Sequence, residues 1–355
     1  MTTSVLAENI LAQADSLSGV LEHQCGEGAA SLAQAAALLQ SGRRVVIAGM
    51  GASLFASLPL EYFLCAQGIN AVAVEAGELL HYRRAGFRDS VMVVVSRSGE
   101  SVEITRLLQE RSGQSSIIGI CNEPASTLAR NADVNILVGS RDDEMVAVQT
   151  YTGTLLTQYL LAGTVAGTAK TDSNTARDLL PAFEQLVRHS VDNLHSWDDF
   201  LAGASDVYLL ARGPSCASAL EGALLFNEVA KTAAVGMAAG SFRHGPVEVV
   251  DSNFRGVVFA PHGGTHELNC SLAQDLARFG GRICVIGPSV EAAEERLETC
   301  RIPETAEMLA PLFEIVPVQV AALRMAELKG IRPGSFRFAP RVALDEANFN
   351  PPKES

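Results

Sequence analysis

The chain has 355 residues, 48% of them hydrophobic and 19% charged, and a formal net charge of −13. That balance belongs to a globular chain long enough for two cores and excludes a disordered one. Lys and Arg form no concentrated stripe, so nucleic acid is excluded as the main partner, and any anion must be held by a local cradle of amides and hydroxyls.

Residues 5–40 are Ala/Leu-rich with helical spacing. The opening MTTSVLAENILAQADSL lacks the basic region and apolar core of a signal peptide. No apolar run approaches the ~20 residues of a membrane span, so a cytoplasmic protein without membrane contact is expected. β runs follow at 44–49, 71–76, 91–96, 116–122 and 134–139, with helical segments at 53–67, 101–112 and 124–131, and a long helix is predicted over 146–168. The strands are apolar throughout, which indicates burial on both faces, and strand–helix alternation indicates parallel α/β layers. The polar stretch TAKTDSNTARD (168–178) breaks the pattern and reads as a link. Residues 178–202 look helical, and strand-like runs restart at 206–215, 256–264 and 282–289. IAGMGAS (47–53) matches LLARGPS (209–215) at an offset of 162, and AGELLH (76–81) matches AGSFRH (239–244) at 163. Two matches in one order at nearly one offset point to a duplicated α/β domain.

The seven cysteines are scattered, odd in number and without a CxxC pair, which fits a reducing compartment. The seven histidines show no metal-ligand spacing on a helix; His262 and His266 are four apart on a predicted loop, and both His81 and His262 read as structural. GxGxxG does not occur, so a dinucleotide site has little support. No metal and no cofactor are expected.

The segment VMVVVSRSGESVEITRLL (91–108) runs from a buried strand into three hydroxyls and a glycine that open a helix. Parallel sheets bind ligands beyond the carboxyl ends of their strands, and a helix start offers free N–H groups to a phosphate. Ser96, Ser98 and Ser101 can donate to phosphate oxygens, and Ser53 sits at the equivalent exit of the first strand. Ordinary N-capping by serine is the plain alternative. The second copy has Pro261-His262-Gly263-Gly264-Thr265 at about this place instead. In LEGALLFNE (220–228), Glu221 and Glu228 fall seven apart on one side of a helix. A carboxylate there can shuttle a proton between two sugar carbons if burial raises its pKa; a solvated helix glutamate is the alternative. His244 is followed by Gly-Pro, which presents its ring from a loop.

SRSGES, LEGALLFNE, AAGSFRHGPVEVVD (238–251) and the duplicated layout resemble the SIS (sugar isomerase) family of phosphosugar-binding domains. From about 24 to 343 the chain is similar to the paired-domain isomerase half of glucosamine-6-phosphate synthase. The resemblance implies an α/β fold of two tandem SIS domains, each a three-layer αβα sandwich around a mainly parallel five-stranded sheet. The expected organisation is a helical segment 1–23, a phosphosugar-binding domain 24–170, a linking helix 171–204, an acid/base domain 205–345 and a tail 346–355. It further implies sugar-phosphate contacts at Ser53, Ser96, Arg97, Ser98 and Ser101, a backbone contact at Val146, and Thr150 just beyond it. Glu228 takes the role of proton shuttle, Glu221 supports it, and His244 opens the sugar ring from the other subunit of a homodimer with shared sites.

Three departures qualify the resemblance. The chain passes directly to the sugar domains, so glutamine hydrolysis is not expected. Leu225 stands where the synthase has a lysine between the helix glutamates. Arg341 stands where the synthase has its imine-forming lysine; guanidinium forms no imine but can pair with phosphate or carboxylate. The expected activity is that of a phosphosugar isomerase or deaminase acting on an aminosugar or ketosugar 6-phosphate, with proton transfer between C1 and C2. A fructosamine-phosphate deglycase and a non-catalytic phosphosugar sensor remain open alternatives.

Overall fold

The first sheet is built from β1 (Arg44–Gly49), β2 (Ala71–Glu75), β3 (Ser90–Val95), β4 (Ser116–Cys121) and β5 (Val134–Leu137), as seen in a computed structural model that describes residues 4–111, 115–289, 294–338 and 340–348. The strands lie in the order β2-β1-β3-β4-β5 and every pairing is parallel. Their apolar runs explain the position: Ile104, Leu107 and Leu128 cover Val46, Ala48 and Val94 on one face, while Val45, Ile47 and Val93 on the other face are equally buried.

A second sheet repeats this plan with β6 (Asp206–Ala211), β7 (Ala233–Ala238), β8 (Arg255–Phe259), β9 (Arg282–Gly287) and β10 (Leu297–Arg301), ordered β10-β9-β8-β6-β7 and again parallel. The two internal matches fall on equivalent places. IAGMGAS and LLARGPS span the exits of β1 and β6, and AGELLH and AGSFRH begin the short helices after β2 and β7. The duplication is therefore one of topology: each sheet has its first strand between its second and third.

β7 and β10 were not among the runs read from the sequence. Both are edge strands. β7 is AAVGMA, small and partly exposed, and β10 is LETCR, with polar residues along an open edge. A strand paired on one side need not be apolar throughout.

The polar stretch 168–178 is not a break. The helix Ala169–Asp192 runs through it. Its first turns are solvated, and apolar burial begins at Ala176 and continues at Phe183, Leu186 and Val187. Sequence polarity marked one wet helix face, not a chain interruption. The chain divides into two compact units within this helix: residues 15–180 joined by those from Phe336 on, and residues up to Ala14 joined by Pro181–Ser335. The segment expected as 205–345 therefore contributes its last residues to the first-sheet unit, and residues 349–355 of the expected tail, like residue 112, lie outside the described residues. No helix among the described residues is long and apolar enough to cross a membrane.

Candidate functional site

In the first-sheet unit, two chain reversals at strand ends carry the predicted serines. After β1 the backbone turns at Gly51, whose φ of 48° favours glycine, and Ser53 lies half-buried in the short helix Ala52–Phe55. After β3 the chain turns at Gly99 with φ 64°, and a side chain there would run into Ser126. The turn is fastened from several directions. The Ser96 hydroxyl accepts from Gly99 N (3.1 Å), the Ser98 hydroxyl from Glu100 N (3.3 Å), and Leu128 N donates to Gly99 O (3.1 Å). The Glu100 carboxylate accepts from Thr127 N (2.6 Å) and Thr127 Oγ1 (2.8 Å). Ser101 is the N-cap of the helix Val102–Gln109, yet its hydroxyl makes no capping bond. The plain N-capping alternative thus fails for Ser101. One helix-start amide is already occupied: Val102 N donates to Ala343 O (2.9 Å) of the C-terminal segment.

That segment also brings Arg341 to this end of the sheet. Arg341 Nη2 pairs with Asp142 and donates to Asp143 O (2.7 Å), and Arg97 donates to Met145 O (3.2 Å) and Arg341 O (3.4 Å). Arg97, Ser98, Asp142 and Arg341 border a cavity of about 490 Å³. Val146 is buried nearby in sequence, but Thr150 has a different commitment. Its hydroxyl donates to Asp143 Oδ2 (2.7 Å), and the fully buried Asp143 carboxylate also accepts from Val148 N (3.0 Å), Gln149 N (3.0 Å) and Thr150 N (2.9 Å). Asp143 is the residue that sequence reading missed. Its signal was an aspartate six residues before the helix Gln149–Ala166, beyond the spacing of an ordinary cap.

In the second-sheet unit, the helix Cys216–Ala230 carries Glu221, buried, and Glu228, half-buried, with Leu225 buried between them. The helix closes on Lys231 at φ 50°, whose ammonium donates to Glu228 O and to Ser335 O (2.5 Å). His244 is exposed, just before Gly245 at φ 133°, as the Gly-Pro signal predicts. His262 is held by Glu304 (2.9 Å) and Ser289 (3.1 Å), and in the first unit His81 pairs with Glu346 (2.5 Å), so both have structural partners. Among the described residues no cluster of three or more His, Cys, Asp or Glu could hold a metal.

The duplicate of Ser53 is Ser215, and it faces a buried carboxyl group of the chain itself. Ser215 and Ser218 donate to the two oxygens of Glu314 (2.8 and 2.6 Å), and all three residues are fully buried. Burial pushes the Glu314 carboxyl up from 4.5 to about 7, while the two serine hydroxyls pull it down. The folded chain therefore holds this proton more tightly than the unfolded chain, and the stability so gained is present below pH 4.5 and is lost as pH rises through about 7. Relative to Glu314→Gln, wild type should lose about 3 kcal/mol of unfolding free energy across that window. Denaturant titrations of both proteins between pH 4.5 and 7.5 check this; parallel pH curves would reject it.

The SIS domain family model matches residues 38–165 and 200–328, the two sheets in turn. The chain belongs to the SIS domain family. It is 30% identical over 305 residues to the glutamine–fructose-6-phosphate aminotransferase [isomerizing] of Pyrococcus horikoshii, covering 84% of this chain and 51% of that protein. The enzyme of the same description from Zymomonas mobilis is 29% identical, with 81% and 50% covered. The chain thus spans about half the length of the curated relatives it matches. Among solved structures, the C-terminal domain of glucosamine-fructose-6-phosphate aminotransferase from Francisella tularensis superposes with a TM-score of 0.77 at 20% identity, covering 92% of this chain and 96% of that one. The glucosamine-6-phosphate deaminase of Thermotoga maritima gives 0.73 at 20% identity, with 92% and 96% covered. These structural likenesses show the SIS fold in tandem.

Proposed function

We propose that this SIS protein is a phosphosugar isomerase of the deaminating kind, acting on an aminosugar or ketosugar 6-phosphate. The observation that carries the reading is the turn after β3: a glycine-pivoted loop at a parallel-strand end, with the Ser101 hydroxyl uncommitted at a helix start. Ser53, Ser96, Ser98 and Ser101 hold the phosphate, and Arg97 adds charge beside them. Exposed His244 protonates the ring oxygen and opens the sugar, supplied to the partner's site in a homodimer. Glu228 takes the C2 proton of the open-chain aminosugar and returns it at C1. The resulting C2 imine adds water, the C2–N bond breaks, and ketose phosphate and ammonia leave. Glu221, buried on the same helix, supports Glu228. Leu225 and Arg341 provide no amine, so no imine to the protein is needed.

The test is a panel of hexose and aminohexose 6-phosphates in deuterated water, followed by NMR for C1 or C2 deuterium and for ammonium. Exchange into at least one substrate is expected; tight binding with no exchange would make the protein a sensor. Ser98→Ala and Ser101→Ala should each weaken binding by about 1–3 kcal/mol, the worth of a charged hydrogen bond. An unchanged affinity in the double variant rejects the phosphate site.

A further inference from the structure

We propose that the carboxylate of Glu307 occupies the strand-end crevice of the second sheet and closes that crevice to phosphate. The inference goes beyond the phosphosugar reading above and is tested separately from it. Open parallel sheets take ligands outside the carboxyl ends of their strands, where successive connections leave in opposite directions. In the second sheet the topology fixes that place: β6 lies between β7 and β8, so the chain leaves it to one side and then crosses to the other. The loop 212–215 after β6 and the loop 261–265 after β8 bound the crevice. At the same exits of the first sheet stand Ser53 and the turn 96–101.

Glu307 touches both loops of the second sheet at once. A side chain at Gly263 would begin 2.5 Å from its Cδ and 2.7 Å from each carboxylate oxygen, and one at Gly213 would begin 3.7 Å from Oε1. Gly213 and Gly263, at φ 57° and 157°, leave room for the carboxylate on either side. Glu307 makes no hydrogen bond or ion pair among the described residues. Its charge is therefore unshared, and it reaches inward: together with burial it pushes up the carboxyl of Glu314. A phosphate entering the crevice would meet both the bulk of this side chain and the repulsion of a carboxylate that nothing neutralises.

The surroundings otherwise keep what a phosphate requires. Arg212, next to Gly213, makes no hydrogen bond or ion pair among the described residues, and its Nε is buried without a partner. Its guanidinium lies against Gly240, where a side chain would begin 3.0 Å from Nη1. A buried donor without an acceptor calls for a physical reason. Here the cation of an anion seat has stayed, while the acidic side chain in that seat does not pair with it. The helix that starts after Thr265 also has no side-chain cap, so its first amides remain open.

The test counts inorganic phosphate bound per full-length chain by equilibrium dialysis, for wild type, Glu307→Ala, Glu307→Ser, Arg212→Gln and the double variant Glu307→Ala/Arg212→Gln. Glu307→Ala should bind one phosphate more than wild type, with a Kd of about 1 mM or tighter. Glu307→Ser puts a small hydroxyl donor in the crevice and should show the same gain, which covers the case of one variant failing to fold. The double variant should lose the gained site, and Arg212→Gln alone should leave the wild-type count unchanged. A count that rises in neither single Glu307 variant, a gained site that survives in the double variant, or a wild-type site lost in Arg212→Gln overturns the inference, and none of these touches the turn after β3. If wild type binds no phosphate while Glu307→Ala binds one, the phosphate turn of the first sheet is rejected and Glu307 keeps its role.

Discussion

Glu228→Gln should lower C1/C2 proton exchange by about a hundredfold to ten-thousandfold, the usual worth of a positioned general base. Glutamine has nearly the same shape and keeps the hydrogen-bonding amide, but it cannot accept the sugar's proton. Glu228 is half-buried near the end of the helix Cys216–Ala230, so the substitution leaves the apolar face of that helix untouched. Phosphosugar affinity should therefore stay within about threefold, since the loss lies in the transition state and not in ground-state binding. The measurement is deuterium incorporation by NMR at saturating substrate, with titration calorimetry beside it. Exchange at the wild-type rate would remove Glu228 from the role of base and leave Glu221 or Lys231 to be examined by the same substitution logic.

Asp143→Ala should destabilise the first-sheet unit by roughly 3–5 kcal/mol, because three buried amides and one hydroxyl lose a shared charged acceptor. The carboxylate has no exposure, and it terminates the helix Gln149–Ala166, sixteen of whose eighteen residues are buried. Asp143→Asn should recover part of the loss, since the amide oxygen still accepts but without charge. The consequence reaches the cavity beside Arg341, because Arg341 is bonded to the carbonyl of Asp143 and to the neighbouring Asp142. Urea unfolding at fixed pH checks the value; a cost below about 1 kcal/mol would show that water replaces the carboxylate at the helix start.

Much of the layout was legible beforehand because it depends on short-range signals. The strand runs at 44–49, 91–96 and 116–122 are apolar on both faces, and only a doubly covered parallel strand tolerates that. The repeated Gly-Ser exits marked a duplication, and both sheets share one strand order. Illegible were the features whose sequence pattern is weak. Edge strands β7 and β10 lack a two-sided apolar run, and the wet first turns of the helix Ala169–Asp192 look like a linker when read without their buried face.

By itself, the sequence determined the α/β class, the doubling, the serine-bearing turn at 96–101 and the pairing of Glu221 with Glu228 on one helix, since each follows from spacing along a single element. Tertiary structure alone decided which polar groups meet. Thr150 is committed to Asp143, Arg341 to Asp142, and Ser215 with Ser218 to Glu314, nearly a hundred residues away or more in the last two cases. The physical reason is that a buried polar group must find a partner wherever the packed chain places one, and no local pattern records a partner so distant in sequence.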